Sequence, residues 1–124
     1  MERLLWILVA GGLGALARYG ISAAVQSRTG AAFPWGILVV NCVGSFLFGL
    51  LYSLAEERGV IGPELRVALM VGFLGALTTF SSFAFDTGQL MRDGRWLWAA
   101  GNIALNNVLA IGLIFAGMAA GRAV

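Results

Sequence analysis

The chain has no histidine and no lysine, one cysteine and two prolines among 124 residues. Without histidine there is no imidazole base, no histidine proton relay and no histidine-ligated metal. Without lysine there is no lysine-bearing phosphate loop, so ATP-driven transport would need a separate subunit. Cys42 stands alone and forms no intrachain disulfide; inside an apolar run a thiol is usually a small apolar filler. Charge is scarce as well. Eight arginines and six carboxylates make up 11% of the chain, and they fall mainly at the ends of long apolar runs.

What fills the chain instead is hydrocarbon. Hydrophobic residues make up 60%, and the mean hydropathy is +0.89. A soluble domain of this size has too much surface to be so apolar. The composition is that of an integral membrane protein whose partner is the lipid bilayer. An isoelectric point near 9.3 does not indicate nucleic-acid binding, because the arginines are scattered and form no basic stripe. Arg3 precedes an apolar run, as in a signal peptide. The run continues past Arg18 without a polar cleavage region, so it reads as a retained first helix.

A helix needs ~20 residues to cross ~30 Å of hydrocarbon. Four segments suffice: about 4–25, 35–54, 65–85 and 96–119, which together read as one all-α membrane domain over 1–124. Trp6, Trp35, Trp96 and Trp98 lie near the ends of these spans, where indoles anchor at the interface. Many of the 18 glycines lie inside the spans and let helix backbones approach closely.

Four spans put both termini on one side, with Arg3, Arg58, Arg66 and Arg122; Arg28, Arg92 and Arg95 fall on the other. An excess of basic residues sets orientation, and here there is almost none. Either one arginine or the first helix fixes a unique topology, or the chain inserts both ways and opposite copies pair. The second reading also answers a size problem. Four small helices enclose little beyond their own packing, whereas a passage forms readily between two copies.

The third span carries Gly72-Phe73-Leu74-Gly75-Ala76-Leu77-Thr78-Thr79-Phe80-Ser81-Ser82-Phe83. A break in a membrane helix is costly unless a partner or ligand satisfies the freed backbone. Carbonyls there, with the Thr78 or Thr79 oxygens, suit a hard monovalent cation, either transported or structural. Phe80 and Phe83, at i and i+3, can share a face. Their ring edges are electropositive relative to the faces and can attract a small bare anion; packing or lipid contact is the ordinary alternative. Asn41, Asn102, Asn106 and Asn107 must face protein or water, either bonding between helices or solvating an ion. Arg18 lies well inside the first span and must snorkel or face a vestibule, where it would concentrate anions. No carboxylate is mid-span. Asp86 is expected at the end of the third, which favours passive anion movement over proton coupling.

Three stretches resemble the Fluc, or CrcB, family of fluoride channels. They are Gly11-Gly12-Leu13-Gly14-Ala15-Leu16-Ala17-Arg18-Tyr19, Trp35-Gly36-Ile37-Leu38-Val39-Val40-Asn41-Cys42-Val43-Gly44-Ser45-Phe46, and the third-span stretch above. The resemblance covers nearly the whole chain. It implies a homodimer of antiparallel subunits, inserted in both orientations in the plasma or inner membrane. It implies two pores that passively export fluoride from the cytoplasm, with no enzymatic step. It implies a central structural sodium ion (Na+) at the third-helix breaks, held by backbone carbonyls at Gly75 and Thr78. By the same resemblance Phe80 and Phe83 are pore phenylalanines acting across the dimer, and Asn41 is the pore asparagine. Arg18 is the vestibule arginine, and Ser81 and Thr79 are hydroxyls near the fluoride (F-) path. Asn102 and Asn106 fall where relatives often carry pore-facing tyrosine and serine. Many relatives have a second glycine at the position of Ala76, which a methyl group tolerates only if the backbone avoids the left-handed region. Two other classes fit the size and weak orientation bias: a small antiparallel multidrug transporter, or a holin-like assembly protein that transports nothing.

Overall fold

Hydrocarbon offers no water to backbone N–H and C=O groups, so a chain this apolar closes its hydrogen bonds within helices. The computed structural model describes residues 1–30 and 32–124, and every regular element among these described residues is helical. Helix α1 spans Glu2–Thr29. It stops at Gly30, which takes a left-handed conformation (φ 55°) and returns its N–H to Gln26 O at 3.1 Å. Helix α2, Trp35–Tyr52, starts just after Pro34 and runs into a wide π turn over Ser53–Glu57. The third span starts with Pro63 at its first helical position, where a missing N–H costs nothing. It comprises α3 (Pro63–Val67), a π segment (Ala68–Leu74), α4 (Gly75–Leu77) and α5 (Phe80–Arg92). Helix α6 spans Trp96–Ala123.

Four helical stretches are long and apolar enough to cross a membrane: Glu2–Thr29, Trp35–Glu57, Pro63–Arg92 and Trp96–Ala123. Each outruns its apolar core, because polar residues at the interface continue a helix without disturbing it. One expectation changes as a result. Helix α5 continues to Arg92, so Asp86 lies inside the helix rather than at its end.

Close packing explains part of the glycine content. In the tight α2–α6 crossing, Gly49 meets the Ile114 carbonyl and the Met118 amide, and Gly117 meets the Phe46 carbonyl and the Leu50 amide. A methyl group at either position would overlap backbone atoms of the facing helix. Helix α1 lies along the first half of the third span, with Gly14 against the Phe73 carbonyl and the Ala76 methyl. Such approaches replace the hydrophobic drive that lipid removes between membrane helices. Gly12, Gly20, Gly101 and Gly112 face open space and need no such account.

The helix ends are tied by charge. Glu57 accepts from Arg122 Nε and Nη2, both at 2.9 Å, and from Ser53 Oγ at 2.8 Å. Arg58 donates to the Gly121 and Val124 carbonyls, and Arg3 and Arg66 pair with Glu64 and Glu56. Ser53 is fully buried, so this tie joins the end of α2 to the end of α6.

Candidate functional site

The break in the third span comes from two residues that leave helical geometry. Thr78 (φ −81°, ψ 153°) and Thr79 (φ −150°, ψ 119°) are both extended. Gly75 is helical, so glycine conformational freedom is not what opens the chain. Ala76 is helical too, and no non-glycine residue among those described has positive φ. The methyl of Ala76 fits because it faces Gly14.

Each residue at the break is held by a specific bond. Thr79 caps α5: its Oγ1 accepts from the Ser82 amide at 3.1 Å. The same hydroxyl donates to Ser82 Oγ at 3.1 Å and lies 3.3 Å from Ser81 Oγ. Thr78 spends its hydroxyl on Leu74 O, at 3.0 Å. The Asn41 amide clamps the main chain of Thr79 from both sides. Its Oδ1 accepts from Thr79 N–H at 2.9 Å, and its Nδ2 donates to Thr79 O at 3.2 Å. An N–H can only donate and a carbonyl can only accept, so this pair fixes which way Asn41 points.

These bonds strip two carbonyls of their usual partners. In a continuous helix Gly75 O would receive Thr79 N–H, and Thr78 O would receive Ser82 N–H. The first amide is diverted to Asn41 and the second to the Thr79 hydroxyl. Gly75 and Thr78 were the two positions expected to offer carbonyls to a cation, and both lose their helical donors for the reason just given.

A polar chain runs from the clamp into α6. Asn41 Nδ2 donates to Asn106 Oδ1 at 3.0 Å. Asn106 Nδ2 donates to Asn102 Oδ1 at 2.9 Å and to Asn102 O at 3.0 Å. Asn102 Nδ2 donates to Thr87 Oγ1 at 3.0 Å, and Thr87 Oγ1 donates to Phe83 O at 2.8 Å. Asn102 is 1% exposed, and Asn106 and Thr87 are also buried. Three asparagines expected to face protein or an ion thus face one another. Asn41 and Asn106 commit both N–H groups to protein acceptors. Asn107 is exposed and bonds back to Ile103 O at 2.7 Å, on its own helix. Thr87 carried no signal in the sequence; only the approach of α5 to α6 gives it a partner.

The phenylalanines come together as their spacing predicts. The Phe80 and Phe83 centroids are 5.5 Å apart at 63°, an edge-to-face pair. Phe83 is 8% exposed, whereas Phe80 is 79% exposed and projects from the bundle. Both line an open groove of about 370 Å³ with Asn41, Thr78, Thr79 and Asn106. Six of the expected residues therefore line one groove, Asn41, Thr78, Thr79, Phe80, Phe83 and Asn106, whereas Gly75, Asn102, Ser81 and Arg18 do not. Ser81 is exposed beside the cap. Arg18 lies on α1, half-buried, with no hydrogen bond or ion pair among the described residues. One turn beyond Arg18, Ser22 lines a second cavity of about 350 Å³ with Tyr19, Gln26, Pro34 and Asp86. That cavity opens near the start of α2, so Asp86 sits towards a membrane face and not at mid-depth.

A family model described as "CrcB-like protein, Camphor Resistance (CrcB)" matches residues 5–118. The chain belongs to the CrcB family. It is 48% identical over 116 residues to a fluoride-specific ion channel FluC of Nitrosococcus oceani, covering 94% of this chain and 93% of that one. It is 44% identical over 122 residues to the FluC of Solidesulfovibrio magneticus, covering 98% of each. It is 40% identical over its full 124 residues to the FluC of Nitratidesulfovibrio vulgaris. As a CrcB-family member with four apolar helices, the chain is a multi-pass membrane protein, and it is not an enzyme.

Proposed function

We propose that two copies of this chain, inserted in opposite orientations, form a passive fluoride-selective channel with two pores that exports fluoride from the cytoplasm. The observation that carries this reading is the opened third span. An asparagine clamp holds a helix break beside an edge-to-face phenylalanine pair, at the mouth of an apolar groove. An exposed Phe80 over a groove suits a second copy better than lipid alone, and the near balance of arginines suits both insertions.

Fluoride holds its water tightly, so a pore must replace that shell with donors and positive edges. Arg18 would concentrate anions in a vestibule. The ring edges of Phe80 and Phe83 and the hydroxyls of Ser81 and Thr79 would supply successive weak contacts. Asn41 and Asn106 would line the path, with Asn102 buried behind them, but their N–H groups already serve protein acceptors. An ion there must compete with those bonds, which keeps binding weak enough for release.

The donor set at the break fits a sodium ion. Two carbonyls without helical donors, and no carboxylate beside them, suit a hard monovalent cation. Gly75 and Thr78 would hold it through main-chain oxygens, shared between the breaks of two subunits. When bound, it supplies a fixed positive charge at the centre of the dimer.

The experiment is halide efflux from liposomes containing the purified protein. Fluoride should leave and chloride should be retained. Equal efflux of both ions, or none of either, would refute the reading. The multidrug alternative lacks a carboxylate at mid-depth, and a holin-like assembly gives the Asn41 clamp no purpose.

A further inference from the structure

The polar chain through α2, α5 and α6 begins and ends on the backbone of α5. It starts at the N–H and C=O of Thr79 and finishes on the carbonyl of Phe83. Between these points it passes through Asn41, Asn106, Asn102 and Thr87. The result is a closed circuit around the first two turns of α5, the segment that carries Phe80 and Phe83.

The circuit has one consistent direction. Thr79 dictates how Asn41 points. Asn41 Nδ2 then requires an oxygen from Asn106, and Asn106 Nδ2 requires the oxygen of Asn102. Asn102 is left to offer its Nδ2 to Thr87. From the other end, the Phe83 carbonyl can only accept, so it takes the Thr87 proton. The Thr87 oxygen is thereby left to accept from Asn102. Both ends demand the same orientation of all three amides, and no amide can turn without opposing two N–H groups or two oxygens.

We propose that Thr87 is a positioning residue for ion passage. Its hydroxyl closes this circuit, and so sets the rotation of α5 and the direction in which the Phe80 and Phe83 ring edges point. The inference rests on the channel reading above. Thr87 itself touches no ion. It acts by giving the buried Asn102 amide its only side-chain acceptor among the described residues, where an unpaired amide is costly.

The test uses full-length protein with Thr87→Val, which keeps the shape and removes the hydroxyl, and Thr87→Ser, which keeps the hydroxyl. Fluoride efflux per dimer should fall about tenfold in Thr87→Val, as the loss of a buried polar partner implies, and recover to within about twofold in Thr87→Ser. Asn102→Leu combined with Thr87→Val should be no worse than Asn102→Leu alone, because both break one circuit. Wild-type efflux in Thr87→Val, equal loss in Val and Ser, or multiplying effects in the pair would overturn the role. Amide hydrogen exchange over residues 79–83 provides a readout that does not depend on fluoride. It should accelerate in Thr87→Val and not in Thr87→Ser, and unchanged exchange in both refutes the circuit. If Thr87→Val does not fold, Thr87→Cys, a weaker acceptor of similar size, takes its place under the same criteria. Absence of fluoride efflux from the unmutated protein refutes the channel reading instead, and the exchange result then decides the circuit alone.

Discussion

Replacing Asn41 by leucine isolates what holds the third span open. Leucine is close in size, so the change removes hydrogen bonds with little change in volume. Three bonds disappear: the acceptor for Thr79 N–H and the donors to Thr79 O and Asn106 Oδ1. A buried group left unpaired costs about 1–3 kcal/mol, and each further bond lost about 0.5–1.5 kcal/mol, so the intact break is destabilised by about 2–6 kcal/mol. The chain has one way to recover part of this. Thr79 N–H can return to Gly75 O and rebuild a helical bond across the break. That would withdraw a carbonyl proposed for sodium and turn Phe80 to a new direction. Asn41→Leu is therefore expected to remain helical while losing fluoride efflux by at least tenfold and losing its response to sodium. Proteoliposome efflux at graded sodium, with circular dichroism for helix content, measures both. Efflux and sodium response like those of the unmutated protein would refute the clamp.

Gly117→Ala should reduce the yield of folded protein and lower thermal stability by about 1–3 kcal/mol, because its methyl meets the Phe46 carbonyl at the α2–α6 crossing; thermal unfolding in detergent checks this, with Gly112→Ala, which faces open space, as the neutral comparison. Phe80→Ile should impair fluoride efflux while the dimer survives size-exclusion chromatography, and undiminished efflux removes Phe80 from the path. Rigorous removal of sodium from both faces should weaken transport or dimer integrity, and unchanged flux argues against a bound cation.

Sequence alone determined the class of molecule: a charge-poor, hydrophobic chain with four membrane-length runs has only helices available to it. It also marked the third span, because paired threonines and serines within an apolar run must satisfy their groups inside protein. The i, i+3 spacing foretold that Phe80 and Phe83 would meet, since helix geometry is local.

Other features needed the tertiary structure. Residues 72–83 contain two glycines and two threonines, and only the folded chain places the break at Thr78–Thr79 with Gly75 helical. The choice was made by Asn41, 38 positions away, whose amide takes the main chain of Thr79 out of the helix ladder. The wide π turns before the break and after α2 leave no mark in residue pattern, because they alter which carbonyl an amide reaches and not which residues are apolar. The helix of the third span runs past its apolar stretch to Arg92, since a helix continues wherever polar side chains reach the interface or another helix. Thr87 is the clearest case. A threonine near a span end looks like any other, and it acquires a role only where α5 and α6 approach closely enough for a buried amide to need its oxygen.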